Sequence, residues 1–555
     1  MAGRSKHQPR GHRADARSLT ELRDLLGSQR LRRDRLIEYL HRVQDCFGHI
    51  PQRLQVALAH ELGLGVAEVH EVASFYQHFD PLHGDDDAPP RYTLRVCDSL
   101  ACAMAGSEAL LNALKTLDIS GVRVLPTPCV GRCARPPVAV FGQNPIEQAT
   151  IDRVVRVIES GDDRPEPLQP SIDHGDYRKR GGYRLLERLH QGELSGDAVV
   201  DALRASGLRG LGGAGFPSVL KWEALMRQPL PHYLVVNIDE GEPGTFKDRH
   251  FLESDPHRFL EGALIAAHVT GCDKIFLYLR DEYAACRRML EQELKRLQEG
   301  LPVQGLLPLI ELRRGAGAYV CGEESALLES LEGKRGMPRQ RPPYVTESGL
   351  FGHPTLVHNL ETLHWIRDAV EVFLEAGGGT RPTELRSYSV SGRVRRPGVY
   401  RAPAGISVRE LIDDYCGGMQ PGHEFYGYFP GGASGGMLPA RLGHLPLDFG
   451  TLEEYGCFVG SAAVIVFSHR DRAKDLALNA LRFFGHESCG QCTPCRVGTA
   501  KAVDMMAREH WDFEALEDLC QVMADASICG LGQAAANPIR CLLEHFADEL
   551  EGDDG

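Results

Sequence analysis

Tyr233-Leu-Val-Val-Asn237-Ile-Asp239-Glu240-Gly241-Glu242-Pro243-Gly244 sets an apolar run directly before three acids and a Pro-Gly turn. A short apolar run bounded by turn residues reads as a buried strand. Its acids then lie at the strand's carboxyl end, where α/β sheets bind ligands. Working outward, apolar strands at 274–279 and 309–312 alternate with helical periodicity at 258–269, 282–297 and 323–331. This alternation predicts an α/β sheet covered by helices, spanning about 177–380.

Two further loops belong to the same sheet edge. Gly207-Leu-Arg-Gly210-Leu-Gly212-Gly213-Ala-Gly215-Phe216 holds the G-x-G-x-x-G spacing. A dinucleotide fingerprint follows a strand and opens a helix, whereas residues 195–206 read as helix, so the Rossmann test fails. What remains is a glycine-dense backbone able to approach a flat ring or a phosphate closely. Gly315-Ala-Gly317-Ala-Tyr319-Val-Cys321-Gly322-Glu323-Glu324 follows another strand and opens a helix. That helix start attracts anions, and its two acids can equally serve as N-terminal charge compensation. Either acidic loop alone reads as a solvated turn; together with the glycine loop they predict a cofactor site.

Sixteen cysteines are the other informative count, and eight of them fall in two groups. Cys97-x4-Cys102 and Cys129-x3-Cys133, 26 residues apart, each follow a predicted strand and are expected on loops. Four thiolates from two loops suit a [2Fe–2S] cluster, with four-cysteine zinc as the rival, although zinc ribbons favour C-x2-C knuckles. Cys489-x2-Cys492-x2-Cys495 supplies three thiols in a loop before a helix, and Cys529 is the expected remote fourth ligand of a [4Fe–4S] cluster. Cys520 and Cys541 are rival fourth ligands but sit within helical patterns, and zinc on the same cysteines is again the alternative. The other scattered cysteines read as small buried hydrophobes.

The remaining chain divides around these features. An Arg-rich start with five Lys or Arg in its first 17 residues reads as a disordered arm rather than a secretory signal. A helical bundle is expected over 18–80, a thioredoxin-like βαββα module over 90–162, a β-rich, β-grasp-like domain over 381–470 and a terminal helical bundle over 471–550. A chain of 555 residues with 43 % hydrophobic and 25 % charged residues is an ordinary multidomain α/β composition. The net charge of −14 without a basic face argues against nucleic acid. No window reaches the length of a membrane span, and clustered cysteines outside a secretory context point to the cytoplasm.

These motifs carry a resemblance. Residues 207–216, 237–248 (NIDEGEPGTFKD), 318–325 (AYVCGEES) and 487–496 (ESCGQCTPCR) resemble the flavin-containing NADH-binding subunit of respiratory complex I. The N-terminal third, with its four cysteines, resembles that subunit's small thioredoxin-like partner, here fused in front. The fused order is similar to the diaphorase subunits of NAD-reducing hydrogenases and to the beta subunits of NAD-dependent formate dehydrogenases. Residues 208–213 (LRGLGG), 278–283 (YLRDEY) and 430–436 (PGGASGG) look closest to the latter.

The resemblance implies an FMN pocket on Gly210, Gly212, Gly213, Lys221, Asn237, Asp239, Glu240, Tyr319, Gly322, Glu323, His358, Asn359 and Thr362. It implies an NAD(H) region on Phe216, Glu242, Glu324, Arg341 and Tyr344, with Glu242 and Glu324 positioning the nicotinamide while the hydride chemistry stays with FMN. Arg341 and Tyr344 stand where relatives often carry Lys and Phe, Ala224 replaces an aromatic residue, His358 an Asn and Leu211 an Arg. The implied role is electron transfer between NAD(H) and the two clusters through FMN. The implied partner is an iron–sulfur-rich, molybdenum- or tungsten-containing formate-oxidising alpha subunit in a hetero-oligomer. The alternatives are the NAD(H) module of a hydrogenase or of complex I and, from another class, a zinc-stapled assembly scaffold.

Overall fold

The computed structural model describes residues 13–84, 87–117, 119–300, 308–377 and 385–551. The expected N-terminal arm falls largely outside these residues. The first helix, Ala16–Leu26, starts inside the expected arm because Asp15 caps it, accepting from the Ser18 amide at 2.9 Å. It packs on Leu36–Phe47 and Gln52–Leu62, and Val66–Phe75 packs on those two in turn. Left-handed Gly48 and Gly63 end the second and third of these helices.

The next region is a four-stranded sheet in the order Val122–Thr127, Tyr92–Cys97, Ala139–Phe141, Asn144–Ile146, backed by Ser107–Thr116 and Ile151–Ser160. Its last strand, a three-residue hairpin partner, is additional to the expected βαββα pattern. The central domain holds four parallel strands ordered Leu309–Arg314, Cys272–Leu279, His232–Ile238, Thr355–Asn359. Thr355–Asn359 was not foreseen, since five residues after a Gly-His-Pro turn carry little periodicity. It pairs with the opening strand so that Asn237 and Asn359 lie side by side at the carboxyl edge. Pro256–Thr270 is buried almost all round beneath this sheet.

Beyond it, a mixed five-stranded sheet runs Gly398–Pro403, Leu385–Gly392, Ala463–Ser468, Phe425–Phe429, Leu438–Pro439, with a parallel central pair. The helices Ala473–Glu487, Thr493–Met506, Phe513–Ala526, Gly530–Ala534 and Asn537–His545 complete the chain's core. One apolar core unites the N-terminal helices, the loop after Leu309–Arg314, the mixed sheet and these last helices. Among the described residues, no helix is long and apolar enough to cross a membrane.

Candidate functional site

The glycine loop joins two helices, Gly196–Ser206 and Ser218–Met226, as the failed Rossmann test implied. It closes on itself through the Gly210 amide and the Phe216 carbonyl at 2.8 Å, and the Leu211 amide donates to Thr362 Oγ1 at 2.9 Å. At Gly212 a Cβ would lie 3.0 Å from that of Asn359, so the two loops touch backbone to side chain. Gly213 has φ +134° and open space where a side chain would stand. Only glycine holds such a backbone without strain while leaving the space free.

Opposite stand the acids. Asn237 donates to the Gly322 carbonyl at 2.8 Å and accepts from the Asp239 amide at 3.0 Å, tying the two acidic loops together. Asp239 Oδ2 is buried and unpartnered, and burial pushes its carboxyl well above the usual range. Glu240 is held up at about 7 by burial, then by Asp248; it accepts from the Asp248 amide at 2.7 Å and from the Tyr283 hydroxyl at 2.8 Å. A buried carboxylate without a partner is costly, so the unpartnered Asp239 oxygen is left for a ligand to satisfy. A planar ligand rich in amide and hydroxyl donors, laid on the open face of Gly213, fits this arrangement.

The layer beneath was not foreseen. Lys247, 1 % exposed, pairs with Asp248 at 3.0 Å and Glu361 at 2.9 Å. Burial alone would depress its ammonium, but Asp248, Glu361 and Glu240 hold it above its ordinary value. Asn359 donates to Asp248 at 2.5 Å and caps the helix Leu360–His364. The Lys-Asp pair inside NIDEGEPGTFKD was a visible signal for this network; Glu361 was not.

Two of the expected flavin residues also have partners within the protein. Glu323 is the N-cap of Glu324–Leu331, receiving the Ser325 and Ala326 amides at 3.0 and 2.9 Å. His358 accepts the Trp222 indole N–H at 2.8 Å, and burial, then Lys221, drops its pKa to about 3. That contact uses one ring nitrogen of the neutral imidazole within the core.

The expected NAD(H) residues surround an open rim. Glu324 receives Lys221 at 2.9 Å and Arg341 at 3.1 Å, so one carboxylate links a predicted flavin residue to a predicted dinucleotide residue. Phe216 and Tyr344 are 47 % and 55 % exposed, flat apolar faces without a partner ring among the described residues. Glu242 accepts from the Tyr319 hydroxyl and, at 2.8 Å, from the Ser434 amide. Burial raises Glu242 to about 7 against the lowering by both donors. Ser434 lies in the PGGASGG stretch of the mixed-sheet domain, but its contact with Glu242 is not legible in sequence because nothing local marks a partner 192 residues away.

Both cysteine groups come together. Cys97 ends its strand and Cys102 lies in the short helix Leu100–Met104, not on a loop as expected. Cys129 and Cys133 have their sulfurs 3.3 Å apart, and all four thiols are buried and unbridged. Cys492 caps Thr493–Met506, Cys495 sits in its first turn and Cys529 caps Gly530–Ala534. Cys489, Cys492, Cys495 and Cys529 are close enough to act on one another electrically. Cys520 is buried in its helix and Cys541 lies 3.5 Å from Cys457, so neither rival points to this group. Clustered thiols without disulfides are the donor set that iron–sulfur clusters need.

Arg280 connects the flavin-side loop to the first cysteine group, donating to the Glu240 carbonyl and, at 2.7 Å, to the Cys129 carbonyl. Gly131 packs so tightly that a Cβ would fall 2.2 Å from the Tyr283 oxygen.

A cofactor edge built from a glycine loop and two acidic loops, flanked by two cysteine clusters, defines an NADH-dehydrogenase-type flavin and iron–sulfur oxidoreductase subunit. Comparison with known proteins agrees. Residues 203–368 match the Nuo51 FMN-binding domain and residues 475–553 the NADH-ubiquinone oxidoreductase-F iron–sulfur binding region. Residues 22–162 match the thioredoxin-like [2Fe–2S] ferredoxin and residues 387–437 the SLBB domain. The NADH-quinone oxidoreductase F subunit 2 of Rhizobium meliloti is 40 % identical over 390 residues, 67 % of this chain and 92 % of that protein. The corresponding F subunit of Aquifex aeolicus is 38 % identical over 404 residues, 70 % of this chain and 92 % of its own. A chain of an NAD⁺-reducing [NiFe]-hydrogenase, crystallised in the H₂-reduced state, superposes with a TM-score of 0.79 at 33 % identity, covering 95 % of this chain and 93 % of that one. The chain belongs to the family of NADH-quinone oxidoreductase F subunits, with a thioredoxin-like [2Fe–2S] domain fused in front.

Proposed function

We propose that this chain is the NAD(H)-binding diaphorase subunit of a hetero-oligomeric formate dehydrogenase, reducing NAD⁺ with electrons from a molybdenum- or tungsten-containing alpha subunit. The observation carrying the NAD(H) part is the pairing of Glu324 with both Lys221 and Arg341 on the rim of the glycine loop. FMN supplies the conversion between a two-electron hydride and single electrons.

The protein's share is positioning. Gly210, Gly212 and Gly213 would leave room for the flavin, Lys221 and the loops tied by Asn237 and Gly322 would hold it, and Asp239 would offer it an unpartnered carboxyl oxygen. Phe216, Arg341 and Tyr344 would hold the dinucleotide by stacking and charge, and Glu242 and Glu324 would orient the nicotinamide. Cys97, Cys102, Cys129 and Cys133 would ligate the two-iron cluster; Cys489, Cys492, Cys495 and Cys529 the four-iron cluster.

The formate reading rests on LRGLGG, YLRDEY and PGGASGG, and each stretch acts at the site: through the Leu211 amide, Arg280 and the Ser434 amide respectively. The hydrogenase reading is the second, favoured by the superposition that spans nearly the whole chain. Affinity purification under mild conditions with metal analysis of each co-purifying chain separates them. Molybdenum or tungsten with formate-dependent NAD⁺ reduction supports the proposal; a nickel-containing partner overturns it in favour of the second reading. Stoichiometric zinc without iron or flavin would sink both.

A further inference from the structure

A groove of about 650 Å³ opens where the N-terminal helices, the thioredoxin-like module and the helix Ala284–Gly300 meet. None of the residues assigned above to flavin, NAD(H) or the clusters lines it. Five arginines do: Arg91, Arg95, Arg164, Arg287 and Arg288.

The acids nearby are already engaged. Asp45 takes Arg314 at 2.6 Å, and Asp281, at the inner end, takes Arg314 at 2.5 Å and His78 at 2.6 Å. One ligand atom each of His41, Asp45 and His78 lies within 4.8 Å of the others, as in a cation site. The Arg314 guanidinium bonds Asp45 and comes within 3.4 Å of His78 Nε2, so it already supplies the positive charge there. The groove-facing arginines are left short of counter-charge. The Arg95 side chain, half-buried, has no hydrogen bond or ion pair among the described residues. Arg287 Nη1 is buried without a hydrogen bond, 3.7 Å from the shared Asp281. Among the described residues, the Arg288 side chain reaches only the Pro165 carbonyl, at 2.5 Å, and the Arg91 side chain only the Tyr92 ring. Asp163 is the one lining acid not held by a guanidinium.

Guanidinium stays charged in proteins and is costly to bury unpaired. Planar forks from separate elements suit a group presenting several anionic oxygens in different directions, and phosphate is that group. The volume lies within the range of small-molecule sites and exceeds what one inorganic ion fills. We propose that this groove binds a polyphosphate chain of two or more phosphates on Arg95, Arg287 and Arg288, clamping the thioredoxin-like module to the flavin-binding domain. The site is independent of the NAD(H) rim and of the identity of the partner subunit.

The test is calorimetric titration of the cluster- and flavin-loaded protein, saturated with NAD⁺, using inorganic tripolyphosphate in one arm and ATP in the other. One saturable site per chain at micromolar concentration is expected. ATP binding more tightly than tripolyphosphate marks a nucleotide ligand; equal binding marks the phosphate chain alone. The double variant Arg95→Gln/Arg287→Gln should weaken binding at least tenfold and leave NADH–ferricyanide activity unchanged. If that variant does not fold, arginine-directed labelling of the unaltered protein replaces it, with tripolyphosphate expected to protect Arg95 and Arg287. Absence of a saturable site, undiminished affinity in the double variant, or labelling at the same rate with and without tripolyphosphate overturns the proposal.

Discussion

The backbone amide of Tyr319 donates to the Glu487 carboxylate at 2.8 Å, while its phenol donates to Glu242. Glu487 ends the helix leading into Cys489, so one residue touches both Glu242, the acid proposed to orient the nicotinamide, and the segment that opens the four-cysteine group. Tyr319→Phe keeps the amide contact and removes the hydroxyl. Because that hydroxyl lowers Glu242 from where burial would put it, its loss moves the Glu242 pKa further up from about 7. The acid limb of the NADH–ferricyanide pH profile should shift alkaline by about one unit with flavin content unchanged. An unmoved limb would detach Glu242 from that activity.

Glu240 gives a stability test with a definite sign. Burial, then Asp248, raises its folded pKa to about 7, so the folded state holds more protons than the unfolded one between the ordinary carboxylate range and that value. Its contribution favours folding below about pH 4.5 and declines as pH rises through 7. Glu240→Gln cannot titrate; relative to the unaltered protein it should gain stability between about pH 5 and pH 8, by about 3 kcal/mol at most. Parallel melting curves at the two pH values measure this, and an equal offset at both would contradict it.

The fourth ligand of the second cysteine group is open to an iron count. Cys529→Ala should remove about four irons per chain and the associated transfer to a partner, while NADH still bleaches the flavin. Cys520→Ala should retain all iron and lose about 1 kcal/mol of packing. The reverse pattern would reassign the ligand.

Gly213→Ala tests the flat face. At φ +134° the new side chain strains the loop by about 1 kcal/mol or more and projects into the open space. Flavin occupancy after purification should fall severalfold with the melting temperature shifted by only a few degrees; undiminished occupancy would place the ring elsewhere.

Both cysteine groups and the acidic loops were legible because each is a local pattern: thiols at fixed intervals, or acids following an apolar strand. What escaped was held together by distance in the chain. Thr355–Asn359 is too short to show periodicity and is a strand only because His232–Ile238 offers it an edge. The Lys247–Glu361 pair, the Ser434 amide on Glu242 and Arg280 on Cys129 join segments more than a hundred residues apart. Glu323 shows the opposite case: its place at a helix start left a cofactor role and N-terminal charge compensation both open, and its side chain also caps that helix.

The span between Glu242 and Ser434 bears on how the protein is made. Chains emerge at roughly 5–20 residues per second, so an acid 192 residues ahead of its amide partner waits on the order of 10–40 s for it. The strand carrying Asn359 arrives within that interval, and Glu487 later still. Until then the acidic loop is tethered at one end only, and a ribosome that stalls between these points releases a product with an unfinished pocket. Closure of this edge of the site therefore requires translation to pass Ser434.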